Sequence, residues 1–174
     1  DLDKGALLQV WRGEFLDATP MWHSRGDGSS RPRGSVTLLN NEMFLGKMNG
    51  QSAWQADTTG SGFQPKGYSL DESDVPTFNY IAFGSPVTDH LTVVDNKYLE
   101  REVKLAKPVE NLVARLAEGV TIEKVAEGLY AVNNKSYFIQ LPDSSVVPQI
   151  RTVNGGQELI VPVMNSAVKY AILF

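Results

Sequence analysis

The sequence predicts an all-β fold, an antiparallel β-sandwich with a long irregular N-terminal segment packed on it. Ten short segments between residues 75 and 174 are rich in β-branched and aromatic residues, and some alternate apolar with polar side chains. Glycine, asparagine, aspartate and proline separate these segments. Short strands spaced by about 8–12 residues are typical of an antiparallel sandwich or barrel.

The predicted strands of the second half follow one another with short turns between them. They are Thr77–Phe83, Pro86–Val94, Tyr98–Ala106, Asn111–Ala117, Thr121–Glu127, Leu129–Asn133, Ser136–Leu141, Pro148–Val153, Gln157–Val163 and Ala167–Phe174. Residues 109–116 also show helical spacing of apolar side chains. Pro108 and Gly119 leave little length for a helix, however, and the neighbours are strands, so a strand is favoured. One helical turn is expected within Leu70–Phe78.

A turn signal at Asp95–Lys97 predicts that the flanking strands form a hairpin. In that hairpin Asp89 and Arg101 fall on the same face as the apolar residues Leu91 and Val103. Charged side chains are tolerated in a core mainly when they are paired. The sequence therefore predicts a partly buried ion pair between Asp89 and Arg101, with a structural role.

The first half, residues 1–74, is predicted to be the irregular, loop-rich part of the domain. Residues 6–17 suggest two short strands with a break at Gly13, and Ser35–Asn40 is a further strand candidate. Asn49–Tyr68 is predicted to be a long loop that is either functional or packed on the sandwich.

Length and composition exclude several classes of protein. The 174 residues suit a single domain spanning 1–174. The net charge of −4 lacks the basic footprint of a nucleic-acid-binding protein, and no apolar run reaches the ~20 residues needed to cross a bilayer. The absence of cysteine excludes disulfides, thiolate metal sites and covalent attachment of c-type haem within this chain. Because the chain begins at Asp1 without a methionine, we expect a processed product, a trimmed chain or a fragment of a larger protein.

Residue patterns for catalysis are weak, and no catalytic or metal-binding residue is assigned. His23 and His90 are the two histidines, and neither belongs to a metal-ligand spacing. No nucleophile-elbow motif is present. A pair of carboxylates for glycoside hydrolysis stays open, because its spacing is spatial rather than sequential. The candidates for such a pair are Glu14, Asp17, Asp27 and Asp57.

The segment Gln9–Ser35 concentrates aromatic and charged residues among glycines. Exposed tryptophans are platforms for sugar rings, and polar side chains around them bind hydroxyl groups. In the alternative interpretation, Trp11 lies in the core, the other tryptophans seal loops, and the arginines hydrogen-bond loop carbonyls. The candidate ligand-binding residues are Arg12, Asp17, Trp22, His23, Arg25, Asp27 and Trp54.

The same segment carries a resemblance to a known class of proteins. Its pattern is Trp11-Arg12-Gly13, Phe15-Leu16-Asp17, Pro20, Trp22, Arg25-Gly26, Pro32 and Gly34. This pattern resembles a segment of large, exported, multi-domain bacterial proteins, and the likeness continues more loosely through Phe63–Asp71 and Pro76–Tyr80. In those proteins, modules of this kind sit beside c-type cytochrome domains and beside β-propellers similar to quinoprotein sugar dehydrogenases.

The resemblance implies a periplasmic or extracellular, cell-envelope-associated module that holds no cofactor of its own. We therefore expect a non-catalytic accessory module, associated with redox or carbohydrate-processing machinery, that binds a saccharide or docks neighbouring domains, including cytochrome c. Two alternatives stay open. One is a purely structural subunit or domain of a cytochrome-containing assembly, and the other is a glycan-active enzyme that uses a carboxylate pair.

Overall fold

The computed structural model describes residues 1–22, 28–39, 42–48, 54, 57–153 and 155–174. The described residues are nearly all β, which confirms the predicted fold class. In chain order the elements are β1 (Gln9–Asp17), α1 (Thr19–Trp22), β2 (Arg31–Leu38), β3 (Leu45–Lys47), β4 (Gln64–Leu70), β5 (Pro76–Ala82), β6 (Ser85–Val94), β7 (Tyr98–Leu105), β8 (Leu112–Gly119), β9 (Ile122–Ala126), β10 (Leu129–Val132), β11 (Tyr137–Gln140), β12 (Gln149–Val153), β13 (Gly156–Pro162) and β14 (Ala167–Leu173).

The strands form two packed antiparallel sheets and a separate two-stranded ribbon. The large sheet has eight strands in the order β4-β5-β6-β7-β14-β11-β10-β9, and the small sheet has four in the order β12-β13-β8-β3. The core lies between them, where Val103 and Ile139 of the large sheet and Leu159 and Val161 of the small sheet are fully buried. Among the described strands, β1 and β2 pair only with each other.

The second half matches the sequence prediction strand by strand, because each predicted segment overlaps one of β5–β14. The expected helical turn near residue 70 is wrong. Asp71 instead closes a turn, in which its carboxylate accepts the backbone N–H groups of Ser73 at 2.8 Å and Val75 at 2.9 Å. These hydrogen bonds lower the pKa of Asp71. Aspartate competes with helix formation in this way because its side chain satisfies nearby backbone donors.

The first half is more regular than predicted, since the described part of residues 1–74 contains the strands β1–β4. The predicted break at Gly13 is also wrong: Gly13 pairs with Gly34 inside a continuous strand, and the irregularity falls between Glu14 and Leu16. Both glycines are required there, because a Cβ on Gly34 would overlap the carbonyl oxygen of Arg12, and a Cβ on Gly13 would overlap that of Arg33. Strand β4 lies partly within the predicted long loop.

The predicted Asp89–Arg101 ion pair is confirmed, and it is deeply buried. Arg101 Nε donates to Asp89 Oδ1 at 2.9 Å, and Nη2 donates to Asp89 Oδ2. The same guanidinium donates to the Tyr170 hydroxyl at 3.2 Å and to the Gly5 carbonyl at 2.6 Å, and it lies over the Phe44 ring. Burial acts to lower the pKa of Arg101, but the charge and hydrogen bond of Asp89, together with Tyr170 and Tyr80, leave the pKa raised.

Candidate functional site

The β1–β2 ribbon extends from the sandwich and is anchored at its base. Its register runs from Gln9 opposite Leu38 to Asp17 opposite Arg31. At the base, the Leu39 N–H donates to the Leu8 carbonyl at 2.9 Å. A two-stranded hairpin on its own is marginally stable in water, so this ribbon depends on its anchor and on whatever covers its faces.

The two faces of the ribbon differ in character. Because side chains alternate along a strand and cross-strand partners share a face, the register assigns each residue to one side. One face is largely polar, and on it Glu14 and Arg33 form an ion pair at 2.6 Å. The other face, called here the apolar ribbon face, comprises Trp11, Leu16, Pro32, Val36 and Leu38.

Several apolar side chains of the ribbon face solvent. Leu38 is 71% exposed and Val36 is 43% exposed on the apolar ribbon face. Phe15, at the irregularity in β1, is 78% exposed. Isolated exposed apolar residues are ordinary on protein surfaces, whereas a contiguous set on one element indicates an interaction surface.

Trp11 packs within the ribbon, whereas the alternative interpretation placed it in the sandwich core. Its indole N–H donates to the carbonyls of Glu14 at 3.0 Å and Phe15 at 3.2 Å. These two carbonyls belong to the irregular part of β1, where strand pairing shifts. Trp11 thus stabilises the irregularity that presents Phe15 to solvent.

Arg12 fixes the ribbon to the sandwich. Its Nε donates to the carbonyl of Phe174 at 2.7 Å, and its Nη atoms donate to the carbonyls of Asn96 and Lys97 in the β6–β7 turn. The guanidinium also lies 5.1 Å from the centroid of the Phe174 ring. All three acceptors are backbone carbonyls, so Arg12 serves as an anchor.

Replacing Arg12 with glutamine is expected to loosen the ribbon without unfolding the sandwich. Loss of the guanidinium contacts should cost about 1–3 kcal/mol locally, since hydrogen bonds to charged groups contribute that much. The amides of β1 and β2 should then exchange with deuterium about tenfold faster, while those of β7 and β14 keep their rates. Equal acceleration in all four strands would show that Arg12 supports the whole fold.

Asp17 and Trp22 lie at the end of the ribbon away from its base. The Asp17 carboxylate accepts the Thr19 N–H at 2.9 Å and so caps α1. The hydrogen bonds from Thr19 lower the pKa of Asp17. The short helix presents Met21, which is 49% exposed, and Trp22, which is 85% exposed. His23, Arg25 and Asp27 lie outside the described residues.

Trp54 lies apart from the ribbon and is a packing residue. Its indole N–H donates to the Met43 carbonyl at 2.8 Å, and its ring packs on the guanidinium of Arg115 at 4.9 Å. A Cβ on Gly46 would lie 3.0 Å from the ring, which shows how closely the tryptophan covers β3. The structure therefore does not place Trp54 beside Trp22 as a second sugar platform.

Of the predicted site residues that are described, Arg12, Asp17 and Trp22 lie together on the β1–β2 ribbon and the helix α1 that follows β1. Arg12 anchors the ribbon, Asp17 caps α1, and Trp22 faces solvent. Sequence reasoning missed two strongly exposed apolar residues of the ribbon, Phe15 and Leu38. The signal that could have found them is the pairing of two glycines, Gly13 and Gly34, which fixes the register of the ribbon.

Two features are absent from the described part of the chain. Among residues 1–22, 28–39, 42–48, 54, 57–153 and 155–174, no group of three or more His, Asp or Glu side chains is arranged to hold a metal ion. Within the same residues, no helix has the length and apolar character that crossing a membrane requires.

Comparisons of the chain with protein-family models, with curated proteins and with solved structures find no match.

Proposed function

We propose that this chain is a non-catalytic accessory module of an exported protein, and that it docks a neighbouring domain or subunit through the β1–β2 ribbon. The observation that carries the proposal is the apolar ribbon face, with Leu38 and Val36 exposed, together with the nearby Phe15. Covering these side chains would remove apolar surface from water at about 25 cal/mol per Å².

The resemblance to multi-domain bacterial proteins supports the type of partner. In that setting the neighbours are c-type cytochrome domains and quinoprotein-like β-propellers, so docking would hold the module beside redox or carbohydrate-processing domains. A periplasmic or extracellular location follows from the same resemblance. The module itself contributes a surface, whereas the neighbours carry the cofactors.

The three described candidates for the carboxylate pair of a glycan-active enzyme, Glu14, Asp17 and Asp57, do not favour that alternative, and Asp27 lies outside the described residues. Glu14 forms an ion pair with Arg33. Hydrogen bonds from Thr19 and Thr59 lower the pKa of Asp17 and Asp57, respectively. A general acid in glycoside hydrolysis needs the opposite change, a raised pKa.

Cross-linking from Phe15 tests the docking function. A benzophenone amino acid would replace Phe15 in the protein as its source produces it, and a matched variant would carry the group at Val120, which is 78% exposed between β8 and β9. We expect irradiation to join position 15 to a specific peptide outside this chain or in a second subunit. The control position should give only weak, scattered products. Equally weak products from both positions would contradict docking through the ribbon.

A second candidate function is saccharide binding at Trp22, favoured by the 85% exposure of its side chain at the end of the ribbon. Stacking of a sugar ring on this indole would change its fluorescence. Titration with a panel of oligosaccharides should then give a saturable change that Trp22→Ala abolishes while the melting temperature stays constant. No saturable change with any member of the panel would remove this function and leave docking.

A further inference from the structure

The two packed sheets differ in width, and part of the large sheet is left uncovered. One row of cross-strand partners on its inner face runs Tyr68, Phe78, Asp89 and Val103. Exposure along this row falls from 64% at Tyr68 to 4% at Asp89 and 0% at Val103. The small sheet and the N-terminal segment thus cover β7 and the part of β5 that carries Tyr80 and Ala82, whereas β4 and the Phe78 end of β5 extend beyond their cover.

A second row shows the same gradient at the end of the sheet near the ribbon. It runs Val93, Leu99, Ile172 and Ile139, and exposure falls from 60% at Val93 to 0% at Ile139. Leu70, on the same face of β4, is 53% exposed. The exposed and half-buried residues of this region, called here the open inner strip, are Tyr68, Leu70, Phe78, Leu91 and Val93.

The open inner strip continues the apolar core surface, but the described part of the single chain leaves it uncovered. Its rows continue directly into the buried Asp89–Arg101 pair and Val103, and its rings of Tyr68 and Phe78 contact each other at 6.2 Å between centroids. A sheet face of this kind is normally covered by a second sheet about 10 Å away. In this chain the inner-face residues Tyr80, Ala82 and Val87 are buried in the core, so cover is missing over β4 and over the ends of β5 and β6 that carry Phe78 and Val93.

The β1–β2 ribbon has a shape suited to covering the open inner strip. Within a single chain, however, the ribbon does not cover it. The ribbon is two strands wide, with one apolar face, and Arg12 attaches it to the β6–β7 turn that follows Val93 and Val94. Both surfaces therefore lie near one end of the large sheet. Tyr68 and Leu38 nonetheless remain exposed in the single chain.

We infer that the apolar ribbon face of one chain packs on the open inner strip of a second copy, and that the exchange is reciprocal. This inference rests on the proposed function, since it names the partner of the same ribbon. A two-fold axis near the β6–β7 turn would let each copy give one ribbon and receive one, as isologous dimers do. Each sandwich would then gain a two-stranded extension of its small sheet.

Size favours this occupant. A ribbon of eight residues is about 26 Å long and about 10 Å wide, so two such contacts bury roughly 1,000 Å², the lower bound for a stable interface. The charged side chains of the ribbon do not oppose the contact, because the register places Arg12, Glu14, Asp17, Arg31 and Arg33 on its other face.

A pair of complementary variants tests the exchange with the chain alone. Leu38→Lys places a charge on the ribbon, and Tyr68→Glu places the opposite charge on the strip. By sedimentation velocity, the wild-type chain should form a dimer of twice 19.1 kDa at micromolar concentration. Each variant alone should dissociate at least tenfold more readily, because both of its contacts bury an unpaired charge.

Mixing the two variants is the decisive step. A heterodimer has one unaltered contact and one contact in which the introduced lysine of the ribbon faces the introduced glutamate of the strip. Native mass spectrometry should therefore show heterodimers in excess over either homodimer. Val120→Lys, a charge on an exposed residue elsewhere, should leave the wild-type dimer intact. A monomer at all concentrations, or a dimer that both variants leave unchanged, would overturn the exchange.

The experiments distinguish a failure of the exchange between two copies from a failure of docking through the ribbon. If the chain is monomeric but position 15 still cross-links to a different domain in the native protein, docking stands and the partner named here is wrong. If Leu38→Lys disrupts the dimer while Tyr68→Glu does not, the ribbon binds another surface, and the exchange is likewise wrong.

Discussion

Replacing Arg101 with methionine is expected to lower the free energy of unfolding by about 3–5 kcal/mol, because it leaves the Asp89 carboxylate buried without its charge partner. The loss extends beyond one ion pair, since the same guanidinium binds the Tyr170 hydroxyl and the Gly5 carbonyl. Urea unfolding at pH 7, followed by tryptophan fluorescence and by circular dichroism, measures the change. Arg101 also lies beside the open inner strip, so the pair defines where the covered core ends.

The double variant Arg101→Met with Asp89→Leu supplies the control. Removing both charges leaves no unpaired carboxylate, so most of the lost stability should return. If the double variant is as unstable as the single one, the cost comes from packing around Phe44 and Tyr170 and not from the buried charge. Such a result would contradict the role given to Asp89.

Replacing Glu158 with leucine is expected to have the second large effect, about 3 kcal/mol or more, because it leaves two arginines without their shared carboxylate. Glu158 is 2% exposed, and it accepts Arg115 Nη1 at 3.3 Å and Arg151 Nε. Burial lowers the pKa of Arg115, and the charges of Glu118 and Glu158 oppose that effect. Thermal and urea unfolding at pH 7 measure the loss.

Glu118→Gln is the matched control for Glu158. Glu118 lies at the same 3.3 Å from Arg115 Nη1, but its side chain is 43% exposed. Because water screens an exposed pair, its removal should cost less than about 1 kcal/mol. Similar losses from both variants would mean that burial does not decide the strength of these pairs.

The difference between what could and could not be predicted from the sequence follows from burial. In the second half most strands have one face in the core, so alternation of apolar and polar residues is visible. That pattern also located the Asp89–Arg101 pair, because both charges interrupt an apolar face. Strand β4, by contrast, is exposed along its whole length and contains Pro65 and Gly67, so its pattern does not indicate a strand.

The sequence predicts strands within residues 6–17 and 35–40, but not their joining into one continuous two-stranded ribbon, for a related reason. Its strands contain Gly13, Pro32 and Gly34, which are typical of turns in a sequence. In the structure, the glycines instead allow two backbones to approach closely opposite one another. The tasks of Arg12 and Trp54 depend on groups distant in the chain, and no local pattern indicates such contacts.

The most direct test of docking through the ribbon is the reactivity of a single thiol at position 38. The chain has no cysteine, so Leu38→Cys introduces a unique thiol on the apolar ribbon face, and Val120→Cys provides the exposed control. Rates of labelling by a maleimide would be compared between the isolated chain at nanomolar concentration and the protein as its source assembles it. We predict labelling at position 38 at least tenfold slower in the assembled protein, with no change at position 120. Equal rates at position 38 in both states would contradict docking through the ribbon.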